Sequence, residues 1–322
     1  MRPVAGAELL EDRGEATAGE DFFRSPPFLD AEGVTHTLHI AGAGIELVAP
    51  LIVREIDDGH DRDAISPYGY PGIVATPATA GHTPARSMPD ASFDPTTIDF
   101  SATGLITVFL RHALAVPPLA GAGERNVVQI ADPTLPTKSR GSDRNQINKN
   151  LRCGYEIRIV PGPETTEAER AGFLGAYEQT MRRTGAAERY FFGAAYFDRI
   201  LDSAQTWLAL ARSPAGDIAA ASIVARSDGY LHHYLSGSTD SHLRDSPMKN
   251  VVSSLVDLSA EMGLPLNLGG GIVRGDRLEE FKRGFANREQ PWHTSEIVCD
   301  ESAYARLSAG RAAAGFFPAY RA

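Results

Sequence analysis

The stretch Leu268-Gly-Gly-Gly-Ile-Val-Arg-Gly-Asp-Arg-Leu-Glu-Glu-Phe-Lys-Arg-Gly-Phe285 joins a glycine turn to a short helical pattern. Its three consecutive glycines follow an apolar strand pattern, and glycines at such a place let another group approach the backbone closely. Leu278, Phe281 and Phe285 then recur at helical spacing, which predicts a short amphipathic helix. Lys282 lies beside that apolar face, so the pattern directs its ammonium into a cleft. A turn followed by a solvated lysine on a surface helix is the alternative.

The composition indicates a soluble globular protein of two domains. The 322 residues include 43% hydrophobic and 22% charged side chains. No apolar run approaches the ~20 residues needed to span a bilayer, and the N-terminus lacks a signal-peptide pattern, so we expect a cytoplasmic protein. The formal net charge of −10 argues against non-specific coating of nucleic acid. Cys153 and Cys299 make neither a metal cluster nor a disulfide framework, and we expect no metal and no cofactor.

The first part of the chain contains an aperiodic segment, several strand patterns and an aromatic turn. Residues 1–30 are rich in Ala, Gly, Glu and Pro, which predicts a flexible or loosely packed lead-in. Apolar runs predict strands at 36–40, 45–56, 105–110 and 127–131, with loop-like sequence over 75–100. In Ser66-Pro-Tyr-Gly-Tyr-Pro-Gly72, Tyr68 and Tyr70 present flat faces with polar tips. This turn is either a packed loop or a platform on a binding cleft.

The most basic stretch of this acidic chain precedes a change in pattern near residue 153. Ser142 can cap a helix that continues to Arg152. Arg144, Lys149 and Arg152 make this helix cationic. The helix is either an ordinary solvated face or a site for a phosphate or carboxylate group.

From residue 154 to residue 300 the pattern is strand, two helices, three strands, helix, strand, helix, strand. The predicted bounds are 155–160, a helix opened by the Thr166/Glu169 capping box and ended by Gly185, 194–204, 206–212, 218–225, 230–236, 247–262, 264–268, 276–285 and 294–299. This order resembles the GNAT acyltransferase fold, a mixed sheet whose fourth and fifth strands splay to admit an acyl donor. Topology by itself does not establish the function.

A set of motifs adds a sharper resemblance over residues 36–300. In order they are Tyr68-Gly-Tyr-Pro-Gly72, the basic helix 144–152 leading into a strand, Tyr234-Leu-Ser-Gly-Ser238, Asp245-Ser-Pro-Met248, Leu268-Gly-Gly-Gly271 and Phe281-Lys-Arg-Gly-Phe285. Together they resemble the FemABX family of peptidoglycan-bridge aminoacyltransferases and its GNAT-type relatives. The resemblance implies an α/β fold of two GNAT-like domains, each a mixed β-sheet flanked by helices, with no coiled-coil arm. It implies a degenerate first domain over 31–152, which 303–322 are candidates to complete, and a second domain over 153–302.

The resemblance also implies an active site around Lys282, which matches the lysine of the family's Phe-Lys-x-Gly-Phe motif. An ester attacked by an amine passes through an oxyanion, which a fixed ammonium stabilises. The candidate substrate-binding residues are Tyr68, Tyr70, Arg144, Lys149, Arg152, Tyr234 and Gly270 of these motifs, together with His232 on the strand that would line the cleft and Asp276 before Lys282. Only one of the adjacent His232 and His233 can face the cleft, because neighbouring side chains of a strand point to opposite faces. Each of them is either a general base or a histidine of the core. Asp276 either orients Lys282 or caps its helix.

The identity of the acyl donor depends on the segment Gly237-Ser-Thr-Asp-Ser-His-Leu-Arg-Asp-Ser246. An acyl-CoA enzyme of this fold has a glycine-rich turn here, whose N–H groups hold the pyrophosphate. This chain has one glycine at the start of the segment, and Asp240 and Asp245 where phosphates would lie. The expected partners are therefore the 3′ end of aminoacyl-tRNA and a small amine, either a peptidoglycan precursor or a peptide-like metabolite. An acyl-CoA-dependent N-acyltransferase and a non-catalytic binding protein are the alternatives.

Overall fold

The computed structural model of the protein describes residues 5–42, 45–57, 59–75, 94–311 and 315–322. Most of the loop predicted over 75–100 therefore lies outside the described residues. The chain divides into two compact units: unit 1 comprises Met1–Arg125 and Trp292–Ala322, and unit 2 comprises Asn126–Pro291. None of the helices in the described ranges has the length and hydropathy of a membrane span.

Strands predominate in the first part of the described chain, and strands and helices are mixed in the second part. In chain order they are β1 (Ala5–Leu10), α1 (Pro26–Ala31), β2 (His36–Gly42), β3 (Ile45–Ile56), β4 (Asp61–Ile65), β5 (Val74–Ala75), β6 (Ile98–Asp99), β7 (Thr107–Arg111), β8 (Gly123–Ala131), α2 (Gly141–Arg152), β9 (Glu156–Pro161), α3 (Glu167–Thr184), α4 (Ala194–Leu201), β10 (Thr206–Arg212), β11 (Ile218–Ser227), β12 (Tyr230–Ser238), α5 (Met248–Met262), β13 (Leu266–Asn267), α6 (Arg277–Arg283), β14 (Arg288–Val298) and α7 (Glu301–Ser308). The chain passes from unit 1 to unit 2 within β8, at 125/126, and returns to unit 1 within β14, at 291/292.

Unit 1 is built on a mixed sheet with the strand order β6-β1-β2-β3-β4-β7-β14. The β1–β2, β2–β3 and β3–β4 pairs are antiparallel, whereas β6–β1 and β4–β7 are parallel. Alternate residues of these strands, including Leu38, Ile40, Leu47 and Leu51, are almost fully buried in one apolar core. Because they occupy alternate positions along their strands, these side chains lie on the same face of the sheet.

Residues 5–30 are folded, which differs from the loose lead-in predicted for residues 1–30. β1 pairs with β2 along its length. Phe22, Phe23 and Phe28 are fully buried, with ring centroids 5.0–5.3 Å apart. The rings come from short helical turns, which bury apolar groups without a repeating period, and this is why a periodicity search does not detect them.

Unit 2 contains a mixed sheet with the strand order β14-β8-β13-β12-β11-β10-β9. The α5 side of this sheet is an apolar cluster that includes Leu255, Leu266 and Phe285, against which Ile147 of α2 packs. The observed boundary at 125/126 places α2 in unit 2, whereas the predicted boundary at 152/153 placed this helix in the first domain. The strand pattern of β8 does not reveal that its partner is β13, which lies far along the chain.

β12 and β13 pair only briefly. Their parallel register covers Leu231 with Leu266 and His232 with Asn267. Beyond these residues β12 continues to Ser238, whereas β13 ends and the glycine turn begins. β12 also carries a bulge against β11, because Ile223 pairs with Leu235 and Val224 with His233. The sheet therefore opens beside β12, as the GNAT topology predicts. The bulge changes the direction of the side chains around Tyr234.

Candidate active site

Lys282 lies in the last turn of α6, between Phe281 and Phe285, whose ring centroids are 5.6 Å apart. Its Nζ donates a hydrogen bond to the Gly270 carbonyl oxygen at 2.7 Å. Burial lowers the pKa of Lys282 to about 8, although the carboxylate of Asp276 acts in the opposite direction. The side chain is half-buried and its ammonium is held in place, which differs from the solvated surface lysine that was the alternative.

The glycine turn lets the Lys282 ammonium and an asparagine come close to the backbone. Gly269 has φ +76°, and a Cβ atom there would lie 3.0 Å from Lys282 Nζ. A Cβ atom on Gly270 would lie 2.6 Å from Asn126 Nδ2. Because Gly270 has no such atom, Asn126 fits there, and its Nδ2 donates to the Gly271 carbonyl oxygen at 2.9 Å. Gly270 thus contributes its carbonyl group, and its missing side chain leaves room for Asn126.

Asp276 is the N-cap of α6. Its Oδ1 accepts from the Glu279 N–H at 2.8 Å, and its Oδ2 accepts from the N–H groups of Ile272 and Val273 at 2.7 and 3.1 Å. These bonds satisfy donors at the helix start and shape the turn before it. Of the two roles considered for Asp276, the geometry is that of a cap. Its negative charge also favours the protonated form of Lys282.

The two adjacent histidines of β12 differ in their surroundings. His232 is buried, its Nδ1 lies 3.1 Å from Asn267 Nδ2, and its Nε2 lies 3.3 Å from the Ser227 carbonyl oxygen. His233 Nε2 is enclosed and has no hydrogen-bond partner in the described part of the chain. Burial and the nearby positive charge of Lys282 lower the pKa of His233 to about 3. The histidine placed near Lys282 is therefore His233, whereas the predicted site residue His232 is engaged in the core.

Tyr234 follows His233 at the bulge of β12. Its hydroxyl lies 2.9 Å from the Tyr196 hydroxyl on α4. The Tyr196 ring stacks on Phe192 with centroids 4.2 Å apart. The described contacts of Tyr234 therefore join it to this aromatic cluster and not to α6.

The three cations of α2 point to solvent. Arg144, Lys149 and Arg152 are exposed, and none of them contacts Lys282 within the described residues. The inward face of α2 is polar instead: Asp143 pairs with Lys249 at 2.9 Å, and Asn150 donates to Asn250 Oδ1 at 2.7 Å. This arrangement fits the solvated-face alternative and leaves the cations accessible to an anionic ligand.

Tyr68 and Tyr70 belong to unit 1, whereas the other predicted site residues belong to unit 2. The Tyr70 ring lies edge-on to Phe23 and to Trp292, with centroid distances of 5.6 and 5.3 Å. The backbone N–H of Tyr68 donates to Glu32 Oε2 at 2.7 Å. Within unit 1 this turn is packed, as one of its two alternatives predicts.

The segment between β12 and α5 folds as a 3-10 turn over Asp240–Asp245. Asp240 pairs with Arg183, and its backbone N–H donates to Gln179 Oε1 at 2.8 Å. Asp245 Oδ2 accepts from the Tyr155 hydroxyl at 2.8 Å, and burial together with this carboxylate raises the pKa of Tyr155 to about 12. Both carboxylates thus have partners within the protein, at the place where the pyrophosphate turn of an acyl-CoA enzyme is expected.

Sequence reasoning missed Asn126 and placed His232 ahead of His233. Asn126 lies 145 positions before Gly271 in the chain, so no local pattern links the two residues. For the histidines, the alternation of the strand showed that only one could face the cleft, but the bulge and the burial that select His233 are tertiary features. Among the described residues, no group of His, Cys, Asp and Glu side chains is placed to hold a metal ion.

The architecture is that of a tandem GNAT-like protein, an α/β fold with a mixed, helix-flanked sheet in each unit, and no helical arm interrupts the described ranges. No protein-family model and no curated protein matches the sequence. Among solved structures, FemX is similar at 10% identity, with a TM-score of 0.63 over 91% of this chain and 96% of that chain. The C-terminal domain of an Agrobacterium fabrum protein assigned as a lysylphosphatidylglycerol synthetase is similar at 15% identity, with a TM-score of 0.50 over 80% of this chain and 82% of that chain. The fold predicted from the ordered motifs, that of FemABX-type proteins, is confirmed.

Proposed function

We propose that this protein is an acyltransferase that moves an amino acid from aminoacyl-tRNA to the amine of a small acceptor, with formation of an amide. The observation that carries the proposal is the partly buried ammonium of Lys282, held on the Gly270 carbonyl oxygen beside the unpartnered Nε2 of His233. The fold shared with FemX supports it, since the proposed lysine lies within the motif on which the resemblance rests. The acceptor is a peptidoglycan precursor or a peptide-like metabolite.

The proposed reaction needs no protein nucleophile, because an aminoacyl ester is already activated. The acceptor nitrogen attacks the ester carbonyl carbon, and the C–N bond forms as the carbonyl oxygen takes negative charge. The intermediate then collapses, the bond to the ribose oxygen breaks, and that oxygen takes a proton. The proton lost by the amine balances the one gained by the ribose hydroxyl. The Lys282 ammonium stabilises the charge on either oxygen, which is commonly worth a few kcal/mol.

His233 takes the substrate-facing role that the sequence assigned to His232. An enclosed nitrogen without a partner is costly, and binding of a ligand group is one way in which proteins offset that cost. With a pKa of about 3, the imidazole is neutral near pH 7. In the tautomer with a free Nε2 lone pair, His233 accepts an N–H of the acceptor amine and orients the nitrogen lone pair toward the ester.

The segment 237–246 supports tRNA over CoA as the carrier of the donor. The charge of Asp240 is offset by Arg183, whereas the carboxylate of Asp245 is held only by the neutral Tyr155 hydroxyl, so a pyrophosphate placed there is repelled by Asp245. The alternative, an acyl-CoA-dependent N-acyltransferase, keeps one observation in its favour. The short β12–β13 pairing leaves the opening through which enzymes of this topology admit an acyl donor.

The test is a mass spectrum of the products formed by the purified protein. One reaction contains a pool of charged tRNA with candidate amines, and a second contains acetyl-CoA with the same amines. We expect aminoacyl amides in the first and none in the second. We also expect weak or absent acetyl-CoA binding by calorimetry. Acetylated products, with the pyrophosphate on residues 237–246 in a co-crystal, would favour the alternative, and no product with either donor would favour a binding protein.

A further inference from the structure

A groove of about 480 Å³ lies on the α5 side of the unit 2 sheet, between α5 and the last two strands. Its floor consists of Ile157, Ile159 and Pro161 of β9 and Trp207 of β10. Leu258 of α5 forms part of the wall. All five side chains are partly exposed. A groove of this volume with an apolar and aromatic lining has the character of a binding site.

β9 is the last strand of the sheet, and one of its two edges is unpaired within the described residues. Its register with β10 runs from Glu156 opposite Arg212 to Pro161 opposite Trp207. On its other side the strand order ends. An unpaired strand edge presents N–H and C=O groups to which another strand can bond. The groove and this open edge therefore belong to the same strand.

The helix that lines the groove gives it a negative charge. Asp257 and Glu261 of α5 line the groove and are exposed, and neither has an ion-pair partner among the described residues. The remaining charged residue of α5 is Lys249, which is paired with Asp143 at 2.9 Å. Like charges four residues apart on a helix repel each other. A cationic group in the groove would relieve this repulsion.

The neighbouring elements do not supply that cation. Arg158 of β9 and Arg212 of β10 both pair with Glu169 of α3, and alternation places Arg158 on the face opposite Ile157 and Ile159. Arg226 of β11 alternates with Val224 of the α5-side cluster, but it lies two strands from β9 and outside the groove lining.

The cationic helix α2 meets α5 at a different place. Its hydrogen bonds to α5 are made with Asn250, about 10 Å before Asp257 along the helix axis at 1.5 Å per residue. The lining therefore holds two carboxylates and no cation.

The spacing of the two carboxylates fits an extended partner. Asp257 and Glu261 are about 6 Å apart along the axis of α5, and alternate side chains of a strand are about 7 Å apart. α5 connects the parallel strands β12 and β13 and so runs opposite to β12. β9 also runs opposite to β12, because antiparallel pairs link β9, β10, β11 and β12 in turn. A strand added to β9 therefore lies along α5, with two alternate side chains beside the two carboxylates.

We propose that an extended peptide of a partner protein, with Lys or Arg at alternate positions, pairs with the open edge of β9. Its main chain bonds to β9, as in other cases of strand addition. The methylene groups of its cationic side chains cover Ile157 and Ile159, and their charged ends meet Asp257 and Glu261. The Trp207 ring offers a further face to a cation.

A second copy of this chain fits the same edge less well. If β9 paired with β9 of another copy, the carboxylates of Asp257 and Glu261 from both copies would face one common groove. The like charges would oppose that association.

This docking does not depend on the proposed reaction, so binding alone tests it. The probe is a fluorescein-labelled peptide of sequence Thr-Lys-Thr-Lys-Thr-Lys-Thr, whose binding to the full chain is measured by fluorescence anisotropy. We expect binding that weakens with added salt. A peptide with Glu in place of Lys, and one with the three lysines adjacent, should each bind about tenfold more weakly or worse. Equal binding of the alternating and the adjacent lysines would reduce the effect to charge alone and overturn the proposal.

Two N-methylated versions of the probe test the edge pairing. Each version carries methyl groups on every second backbone nitrogen, one on the Lys and the other on the Thr positions. Alternate N–H groups of a strand point to opposite sides, so only one set faces β9. We expect one version to bind and the other to lose binding. The same result for both versions would contradict strand addition.

Variants assign the binding to the groove. Asp257→Asn combined with Glu261→Gln should weaken binding of the alternating probe about tenfold or more. The matched control is Glu188→Gln combined with Asp217→Asn, which removes the same charge at exposed positions of unit 2 outside the groove and should bind like the parent protein. Circular dichroism checks that each variant is folded. Equal affinities of the two double variants would overturn the assignment.

Two further results would identify another occupant. A dimer seen by light scattering that the alternating probe dissociates would make this edge an interface between copies of the chain. Tighter binding of a helical Leu/Lys peptide of the same charge would make the groove a site for a helix. Either result overturns the proposal of an extended peptide.

Discussion

At the scale of single residues, the protonation state of Lys282 links its surroundings to the proposed chemistry. Burial pulls the pKa down to about 8, and the hydrogen bond to Gly270 holds the ammonium in place. A cation positioned before the reaction stabilises the transition state more than the ground state. The residue should therefore act on turnover more than on binding.

We predict that Lys282→Met lowers kcat by about a hundredfold or more, with a smaller change in KM. Methionine keeps the length and the apolar stem, so the variant should fold normally. Lys282→Arg should restore activity only in part, because a guanidinium differs in shape from an ammonium. Lys138→Met, a change at an exposed lysine of the same unit, is the control. Near-normal turnover of Lys282→Met would leave Lys282 with a structural role only.

The pH dependence of turnover checks the same assignment. Below a pH of about 8 Lys282 is an ammonium, and above it the positive charge is lost. The rate measured with saturating substrates should therefore fall as the pH rises through about 8. The residual rate of Lys282→Met should lack this step, and a step that persists in the variant would assign it to another group.

A second residue-scale prediction compares the two adjacent histidines. His233→Leu removes no hydrogen bond of the described structure, so its melting temperature should stay close to that of the parent protein, while KM for the acceptor amine rises. His232→Leu removes the partner of Asn267 and should destabilise the fold by about 1–3 kcal/mol. Thermal unfolding measures the stability of both variants, and steady-state kinetics measure their KM for the acceptor amine. Equal effects of the two changes on KM would contradict the assignment.

At the scale of secondary-structure elements, α2 combines an inward polar face with an outward cationic face. The inward face is fixed by Asn150 and Asn250, whose amides bond to each other and to neighbouring backbone groups. These side chains hold α2 on α5 and leave Arg144, Lys149 and Arg152 exposed to solvent. The helix thus presents three cations to solvent.

We predict that replacing Arg144, Lys149 and Arg152 together by Ala weakens the binding of aminoacyl-tRNA and flattens its salt dependence. For every tRNA phosphate that the variant no longer binds, the slope of log K against log salt should become shallower by about 0.7–0.9. The control is a triple Ala variant of Arg182, Arg199 and Arg226, which are exposed on other elements of unit 2. Filter binding over a salt series measures the slopes. Equal slopes for the parent and the α2 variant would make this face ordinary solvated surface.

At the scale of the whole molecule, unit 1 is assembled from both ends of the chain. Residues 292–322 return to it, and the C-terminal Arg321 donates to both carboxylate oxygens of the buried Asp63. Arg54 also donates to Asp63 at 2.8 Å, and the Tyr320 hydroxyl lies 2.8 Å from the Thr107 hydroxyl. The Asp63 carboxylate of β4 therefore joins Arg54 of β3 to Arg321 near the end of the chain.

We predict that Asp63→Ala lowers the free energy of unfolding by on the order of 3 kcal/mol, because two guanidinium groups lose the partner of a buried ion pair. Asp61→Ala, which breaks the exposed pair with Arg306, is the control and should cost less than about 1 kcal/mol. Denaturant unfolding of both variants measures the difference. If the two changes cost the same, Asp63 does not anchor the C-terminal segment.

Local signals predicted the elements of unit 2 well. The Thr166/Glu169 capping box opens α3, and Gly185 ends it with φ 62°. Pro247 and Gly263 likewise bracket α5. Such signals work because caps and terminating glycines act within a few residues. The folded segment 5–30 and the 125/126 boundary depend on partners far along the chain, so the same reasoning missed them.

By itself, the sequence determined the order of elements in unit 2, the motif around Lys282 and the fold class, since each depends on local patterns. Only the tertiary structure decided that Lys282 is held by Gly270, that His233 and not His232 is unpartnered, and that Asp276 is a cap. The physical reason is that burial and hydrogen-bond partners arise when distant segments meet. β12, the glycine turn and α6 are separate in the chain, and the chemical state of each candidate residue exists only once they are packed together.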